Sequence, residues 1–529
     1  MENFFKRPEA RLIIEKSTDS NERPSYLHDR DRILFSRSFR RLAKKTQLVP
    51  ALGIKSSDHL RSRLTHSLEV MQIAASIGNY INLQERKEEK VKIAASIGNY
   101  INLQERKEEK VKITASIGNY IYQQERKEEK VNIHLIEAIS LGHDLGHTPY
   151  GHVGEEALCD FFKRSIDHGC FPEKKLKHSF QSLKKCCFLE KQYLPDNYGL
   201  NLTVSTLDGI LKHSKIEEKE REFYKKCFES YYQVFIKDFV PYTKIDEKSY
   251  GTMKDLFEYC SPVTLEGSIV SIADEIAQLS HDIEDMRRLT SMDRDKMLIF
   301  YKKVKEVLSS DLGQKNMDML KLTDTYNVFS DTLDESKNNS ILRIKCERMY
   351  TKLILNFSIS IVGRIMSSLW SIPEDKRLIY LKQYHTGSFE DLLTLSKEFS
   401  DIPEVTKIGL KCLCKIFKDH EEILQDEMDI VRWDLKGKEI CDDLMNILNK
   451  TLDKKLSYKE QDKLIIFNKE QRNDLTRSYK AGFKFGEKLG SDKLDEIARK
   501  CLIWDYIAGM TDNFIIEEYE SLSCKRVGL

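Results

Sequence analysis

HLIEAISLGHDLGHTPYGHVGEEAL, residues 134–158, carries four of the thirteen histidines of a 529-residue chain within nineteen positions. Glycines on both sides of the His143–Asp144 pair permit an irregular helix end, where both side chains can ligate one metal ion. The stretch 146–151 contains Pro149, and we expect it to end a helix that begins near Glu125. The pattern therefore predicts reactive side chains at a break between two helices.

Histidine and carboxylate neighbours in this stretch predict a metal-dependent site. His152 and Glu155 stand one helical turn apart, so the carboxylate can hydrogen-bond the imidazole and orient it. Such ligands suit a divalent ion, Mg²⁺ or Mn²⁺ first, with Fe²⁺, Co²⁺, Ni²⁺ or Zn²⁺ as alternatives. An isolated histidine usually has a structural role, but a cluster flanked by glycines and arginines favours chemistry.

Two distant stretches supply further candidates for the same site. RSRLTHSLEV, residues 61–70, puts Arg63 three residues before His66, where a guanidinium can bind a phosphate beside a metal ion. SIVSIADEIAQLSHDIED, residues 268–285, contains Asp274 and further acidic residues.

Composition favours an all-α protein, because glycine and proline are scarce at 23 and 10 residues. Lys+Arg and Asp+Glu nearly cancel at 86 and 85, so the bulk charge predicts no nucleic-acid or membrane partner. The N-terminus lacks the apolar core of a secretory signal, and no apolar run approaches the ~18 residues that a spanning helix needs. The twelve cysteines show no paired zinc spacing and are expected to be free thiols. We expect a cytoplasmic protein.

A twenty-residue repeat follows His66. Residues 73–92 and 93–112 both read IAASIGNYINLQERKEEKVK, and residues 113–132 differ at four positions, Thr114, Tyr122, Gln123 and Asn132. Identical copies indicate tandem duplication rather than a diverged solenoid. We expect each copy to hold a helix end, a polar break such as Asn102–Arg106 and a helix start. The repeat at 73–132 would then be an inserted helical hairpin, with a disordered excursion as the alternative.

The domain organisation follows from these stretches. We expect a core of residues 1–290, which contains the repeat, and a helical C-terminal region of residues 291–529 that packs on it.

The order His66, His143–Asp144, Asp274 resembles the H…HD…D metal-binding signature of the HD superfamily of metal-dependent phosphohydrolases. Flanking segments narrow the resemblance to deoxyguanosinetriphosphate triphosphohydrolase-like dNTPases. They are DRDRILFSRSFRRLAKKTQ (29–47), RSRLTHSLEV (61–70), HDLGHTPYGH (143–152), GLNLTVSTLDGILKHS (199–214), ADEIAQLSHDIED (273–285) and DYIAGMTDNF (505–514). The resemblance covers residues 22–290 and 500–522, and residues 291–500 match only loosely.

The resemblance implies an all-helical enzyme with an HD-domain core that hydrolyses a dNTP, with dGTP expected first, at the α-phosphate. The products are deoxynucleoside and inorganic triphosphate. By the same resemblance the metal ligands are His66, His143, Asp144 and Asp274. His66 and His143 are 77 residues apart, and removing the 40 duplicated residues leaves 37, close to the separation in the family.

Catalytic roles also come from the resemblance. His152, oriented by Glu155, acts near the α-phosphate, and His178 faces the scissile bond, where it can protonate the 5′ oxygen. An exposed histidine in a lysine-rich loop is the plain alternative for His178. His147 can reach the phosphates or the attacking water.

Substrate contacts are implied for six residues: Arg63, Gln47, Leu48, Lys212, Gln278 and Asp282. Arg63 and Lys212 resemble triphosphate ligands, and Gln47 with Leu48 resembles the pair beneath the deoxyribose. Gln278 departs from the family, which usually has tyrosine there. A glutamine can still donate a hydrogen bond, but the packing of the ring is lost.

Partners and alternative functions complete these expectations. Relatives are commonly oligomeric, so we expect a homo-oligomer, from dimer to hexamer, with dNTP as substrate and as candidate activator, and no membrane partner. One alternative is an HD-type nucleotidase or phosphodiesterase. The other is a catalytically impaired dNTP-sensing or single-strand nucleic-acid-binding protein, for which the lysine-rich residues 174–185 are a candidate weak binding surface.

Overall fold

A computed structural model describes residues 7–14, 23–47, 61–101, 130–163, 171–173, 175–190, 199–237, 245, 247–286, 294–336, 340–425, 428–453 and 469–523. These residues form 21 α-helices, and the only β pairing among them is two isolated bridges. The predicted all-α fold is confirmed.

The first ten helices and the turns between them carry every predicted site residue that the structure describes. These helices are α1 (Ser25–Leu34), α2 (Arg37–Arg41), α3 (Arg63–Ile101), α4 (Ile133–Gly142), α5 (His152–Lys163), α6 (His178–Lys184), α7 (Val204–Lys212), α8 (Glu218–Tyr231), α9 (Glu247–Lys254) and α10 (Leu265–Met286). Short 3₁₀ turns follow α2 and α9, and π-helical turns follow α6 and α8.

Eleven further described helices lie beyond residue 290. They are α11 (Arg294–Ser309), α12 (Asp311–Met319), α13 (Thr323–Glu335), α14 (Ser340–Trp370), α15 (Glu374–Gln383), α16 (Phe389–Lys397), α17 (Glu404–Gln425), α18 (Met428–Asp453), α19 (Lys469–Leu489), α20 (Leu494–Ala508) and α21 (Asp512–Ser523).

Helices α3, α4, α7 and α10 pack against one another and hold the predicted metal ligands at their ends or faces. Helix α4 is largely apolar, and its side chains from Leu135 to Leu141 are buried except for half-buried Glu137, because it lies between α1, α3, α7 and α10. This central position fixes where the chain leaves α4, which is at the His143–Asp144 pair.

Helices from beyond residue 290 pack directly on this group. Helix α14 lies against α3 and α10, and α18 and α20 lie against α5. Buried apolar residues of both parts form one continuous hydrophobic core. The division at residue 290 therefore stays a prediction.

Helix α14 contains a long apolar segment, Ile341–Trp370. Among the described residues it is the one helix long and apolar enough to cross a membrane by length and composition. The sequence analysis expected no such run. Of its most apolar 18-residue stretch, 56% is buried within the molecule, and the core helix of a folded protein can be equally long and apolar.

The described cysteines agree with the sequence analysis. All ten of them are free thiols.

The first copy of the repeat lies entirely within α3, which continues to Ile101 in the second copy. A polar break in every copy is therefore wrong for copy one, because its LQERKEEK segment consists of good helix formers. Gly78, in the same copy, allows α3 to approach α4: an added Cβ would lie 2.9 Å from Ile136 Cδ1. Residues 102–129, which include Asn102–Arg106 and most of the third copy, lie outside the described residues.

The first copy of the repeat and the end of the third copy are joined by a pair of hydrogen bonds. Asn82, in copy one, donates from Nδ2 to Val131 O at 3.1 Å and accepts from Val131 N at 3.0 Å. The next residue, Asn132, caps α4 by accepting from His134 N at 3.0 Å and Leu135 N at 3.3 Å. Copies one and two have lysine at this position, so the change to asparagine in copy three supplies an N-cap.

Two deletions of 40 residues should distinguish the effect of the duplicated residues on stability from the effect of the N-cap Asn132. Removing residues 91–130 leaves QERKEEKVNIHL, and removing residues 93–132 leaves QERKEEKVKIHL, so the products differ only by asparagine or lysine before α4. Eight residues between Asn82 and the retained valine are enough to reverse the chain in a helical hairpin. We expect both to fold, with the asparagine form more stable by about 1 kcal/mol in urea unfolding. Equal stability would show that Asn132 does not cap α4.

Candidate active site and metal centre

The four predicted metal ligands converge from three separate helices. His66 lies in α3, His143 and Asp144 form the turn after α4, and Asp274 lies in α10. His66 Nε2 is 2.8 Å from Asp274 Oδ1, and His143 Nε2 is 3.5 Å from Asp144 Oδ1 and 4.0 Å from Asp274 Oδ1. Ligand atoms of His66, His143 and Asp144 all lie within 4.8 Å of one another.

His143 has the orientation of a metal-binding imidazole. Its Nδ1 lies 2.6 Å from Ser140 O, and since a carbonyl only accepts, Nδ1 carries the hydrogen. Nε2 therefore presents a lone pair, and it is buried without a hydrogen-bond partner among the described residues. A backbone carbonyl that accepts from the other ring nitrogen, and so fixes the tautomer, is typical of metal-ligating histidine. The donor set thus fits a divalent ion.

Polar and charged neighbours keep both aspartates ionised in the protein interior. Burial opposes ionisation of Asp144, but His143 and Arg63 outweigh it and hold the pKa of the carboxyl well below its usual range. Burial also opposes ionisation of Asp274, but the hydrogen bond with His66 lowers its pKa. The site is therefore an anionic pair surrounded by imidazoles, which attracts a cation.

Arg63 is buried beside this pair. Its Nη1 lies 3.0 Å from Asp144 Oδ2. The guanidinium thus stands next to the candidate metal centre, which agrees with the position expected of a phosphate ligand.

The turn after α4 depends on close contact with α6. An added Cβ at Gly146 would lie 2.2 Å from both His178 O and Ser182 N, so only glycine fits there. Ser182 Oγ donates to His143 O at 2.7 Å and accepts from Gly146 N at 2.7 Å. The predicted helix limits were wrong: α4 begins at Ile133 and ends at Gly142, before Pro149 is reached.

Four predicted catalytic residues form a second cluster around one buried carboxylate. Glu155 Oε1 lies 2.7 Å from His178 Nδ1 and 3.4 Å from His147 Nδ1, and Oε2 lies 3.2 Å from His152 Nδ1. The rings of His147 and His178 stack at 3.7 Å. His152 is 54% exposed, whereas His178 is buried at the start of α6, so the exposed-loop alternative for His178 is excluded.

Electrostatics in this cluster keep the carboxylate charged and the central imidazole neutral. Burial opposes ionisation of Glu155, but His178 and His152 hold its pKa well below the usual range. Burial, reinforced by Arg63, lowers the pKa of His147 well below its usual value. Asp144 joins the two clusters, because its Oδ1 lies 3.3 Å from His147 Nε2 and 3.8 Å from His178 Nε2.

His213 belongs to the site although the sequence analysis assigned it no role. It is buried, its Nε2 lies 2.9 Å from His178 Nε2, and its ring is 5.0 Å from that of His143. Burial and His143 lower its pKa to about 3. The signal was available, since His213 lies in the quoted GILKHS segment.

Lys212 has a different environment from the one expected of a triphosphate ligand. Its Nζ pairs with Asp208 Oδ1 at 2.5 Å, 2% exposed, and lies over the ring of Tyr259. The structure therefore joins the amine to α7 itself rather than to the histidine cluster.

The remaining substrate candidates lie at the margins of the site. Gln278 and Asp282 follow Asp274 at helical spacing on α10, the first half-buried and the second buried. Burial raises the pKa of Asp282 to about 7. Gln47 is half-buried beside the start of α3, with a weak bond from its backbone N–H to Arg61 O at 3.4 Å. Leu48 lies outside the described residues.

Comparisons with known proteins point to one class of protein. The family model of the phosphohydrolase-associated domain matches residues 465–521. The chain is similar to deoxyguanosinetriphosphate triphosphohydrolase-like proteins. The protein from Wolinella succinogenes is 35% identical over 50% of this chain and 49% of its own length, and the one from Pelagibacter ubique is 31% identical over 61% of this chain and 64% of its own length. The protein of that name from Rickettsia felis is 25% identical over 97% of this chain and 95% of its own length.

The all-α fold and the comparisons together show a chain similar to the HD-type metal-dependent phosphohydrolases. Within that class, the resemblance to the deoxyguanosinetriphosphate triphosphohydrolase-like proteins is confirmed. The first two matches span about half and just under two thirds of the relatives' own length.

Replacing His143 should test the metal centre directly. His143→Ala removes the lone pair of Nε2, and we expect Mn²⁺ to bind at least roughly tenfold more weakly in calorimetric titration, since even the loss of a residue that only orients a ligand costs that much. His134→Ala, in the helix that precedes His143 but 44% exposed, is the matched control and should bind Mn²⁺ like the unmodified chain. Equal affinity in both variants would exclude His143 as a ligand.

Proposed function

We propose that the chain hydrolyses deoxynucleoside triphosphates at the α-phosphate to deoxynucleoside and inorganic triphosphate, with dGTP as the first substrate to test. One observation carries the proposal: a candidate metal centre and a histidine–glutamate cluster share the buried carboxylate of Asp144. Phosphoryl transfer at a poor leaving group needs both charge neutralisation and proton transfer in one place.

The metal ligands and Arg63 account for charge neutralisation. A divalent ion held by His66, His143, Asp144 and Asp274 would polarise a phosphoryl oxygen and neutralise growing charge. Arg63, beside Asp144, can clamp phosphate oxygens through its planar guanidinium.

Hydrogen-bond geometry supports a proton on His178. His213 Nδ1 faces Ile210 O at 2.7 Å, so it carries hydrogen and His213 Nε2 accepts. His178 Nε2, 2.9 Å away, then faces an acceptor, and His178 Nδ1 faces the carboxylate of Glu155. These contacts support a form of His178 that carries a proton on both nitrogens during turnover.

A doubly protonated His178 suits the role of general acid. Burial lowers the pKa of His178, so the protonated ring gives up its proton easily, while Glu155 beside it favours the protonated form. His178 would protonate the 5′ oxygen as the bond from the α-phosphorus to that oxygen breaks. His152, the exposed member of the cluster, would orient the attacking water and accept its proton, held by Glu155.

Product analysis should decide the reaction. Purified protein with Mn²⁺ or Mg²⁺ is incubated with each dNTP in turn, and we expect equal amounts of deoxynucleoside and inorganic triphosphate. A nucleotidase would release inorganic phosphate instead, and a phosphodiesterase would release pyrophosphate. Single-strand binding without turnover, lost as salt is raised, would support the non-catalytic alternative. Absence of triphosphate with every dNTP and with dNTP mixtures would contradict the proposal.

Removing His152 should separate catalysis from metal binding. In His152→Ala we expect triphosphate release to fall by roughly 10²–10⁴-fold, the usual contribution of a positioned general base or acid. Mn²⁺ affinity should stay unchanged, because His152 contacts Glu155 rather than the metal ligands. His134→Ala again serves as the control. An unchanged rate in His152→Ala would show that the assigned role is wrong.

A further inference from the structure

The segment DYIAGMTDNF, residues 505–514, has no role in the chemistry above, yet its polar groups face the elements that carry the site. It links α20 to α21 within the region matched by the phosphohydrolase-associated domain. Both of its aspartates at positions 505 and 512 accept hydrogen bonds from residues more than 270 positions earlier in the chain.

Asp512 joins two chain segments through one buried carboxylate. Its Oδ2 accepts from Thr46 N at 2.8 Å and from the Thr46 hydroxyl, and its Oδ1 accepts from Tyr150 N at 3.3 Å. Thr46 precedes Gln47, and Tyr150 lies two residues before His152. Asp512 therefore holds the backbone next to Gln47, the candidate sugar-binding residue, and close to His152, the candidate catalytic histidine.

The Tyr150 end of this link is a conformationally demanding turn. Tyr150 has φ of 60°, a left-handed conformation that a side chain rarely adopts. Such a residue persists when its surroundings hold it, and here Asp512 accepts from its backbone N–H while its ring packs on Trp433 at 4.8 Å.

Two buried lysines continue the link at the end of α20. Lys45 Nζ and Lys185 Nζ both donate to Ala508 O, at 3.1 and 2.9 Å. The same amines donate to carbonyls of the turn after α4, Lys185 to Leu145 O at 2.7 Å and Lys45 to His147 O. The turn that bears the reactive residues is thus tied to residues 508–512 from two sides.

We propose that Asp512 is a positioning residue of the active site, which acts through Thr46 and Tyr150 to set the relative position of Gln47 and His152. The inference rests on the proposed function. An aspartate is required because both oxygens accept, whereas an amide keeps one acceptor and turns two N–H donors toward a backbone donor.

Asp512→Asn is the principal variant, and Asp443→Asn is its matched control. Asp443 Oδ2 accepts from Tyr519 OH at 3.1 Å, so the control also removes a carboxylate that holds α21, but away from the reactive turn. Triphosphate release, Mn²⁺ affinity and melting temperature are measured for both, with activity assayed well below every melting temperature.

In Asp512→Asn we expect kcat/KM to fall roughly tenfold or more, since small displacements of positioned groups have large effects on rate. Mn²⁺ affinity should remain within about twofold, because Asp512 contacts none of the metal ligands. Asp443→Asn should keep both quantities. Unchanged kcat/KM in Asp512→Asn, or a loss matched by weaker Mn²⁺ binding, would overturn the proposal.

A milder pair keeps the test valid if Asp512→Asn does not fold. Thr46→Val removes the hydroxyl donor and keeps the backbone N–H, whereas Thr46→Ser keeps both. We expect a smaller fall in kcat/KM for Thr46→Val and none for Thr46→Ser. Equal behaviour of the two variants would contradict a positioning role.

Binding of an inert analogue separates this proposal from the proposed function. The probe is a dNTP analogue with a methylene group in place of the 5′ oxygen, titrated calorimetrically with Mn²⁺ present. If the unmodified chain binds it without ever releasing triphosphate from dNTPs, the proposed function fails. The positioning role is then judged by weaker analogue binding in Asp512→Asn alone. If the unmodified chain does not bind the analogue either, both proposals fail.

Discussion

Asp144, Glu155 and Asp274 bring negative charge into the protein interior, where an ionised carboxylate is stable only beside a cation or several hydrogen-bond donors. Helices α3, α4, α6 and α10 must therefore meet so that imidazoles and Arg63 surround these oxygens. Removing one partner would leave a buried charge unbalanced. The same requirement that holds the helices in register also shapes the site for which we propose a divalent ion and a phosphate.

The helices beyond residue 290 contribute to this arrangement from outside the motif-bearing core. Asp505 accepts from Gln181 Nε2 at 3.1 Å and from Tyr231 OH at 2.6 Å, which connects α20 to the helix that begins with His178. Lys184 Nζ lies 2.7 Å from the same carboxylate and 3.7 Å from the Trp504 ring centre. The C-terminal region thus takes part in the geometry of the site as well as in the hydrophobic core.

The duplication lies between two candidate metal ligands, His66 and His143, and leaves their contact undisturbed in the described residues. Asn82 and Val131 close the repeat at its base, so α3 and α4 pack as neighbours whatever length of chain connects them. Long connections cost little free energy once their ends are held, because the closure entropy grows only with the logarithm of length. The sequence identified the duplication. The hydrogen bonds between Asn82 and Val131, which keep α3 and α4 together despite it, became visible only in the tertiary structure.

The sequence by itself determined the all-α class, because helix propensity is a local property. It also predicted His66, His143, Asp144 and Asp274 as metal ligands, because their order along the chain resembles a known signature. It also pointed to Glu155 and its histidines. Only the tertiary structure decided that His213 completes the cluster, that Lys212 pairs with Asp208, and that Asp512 reaches Tyr150 across 362 positions. These contacts depend on how helices pack at their ends, and helix packing joins residues whose separation along the chain carries no periodic signal.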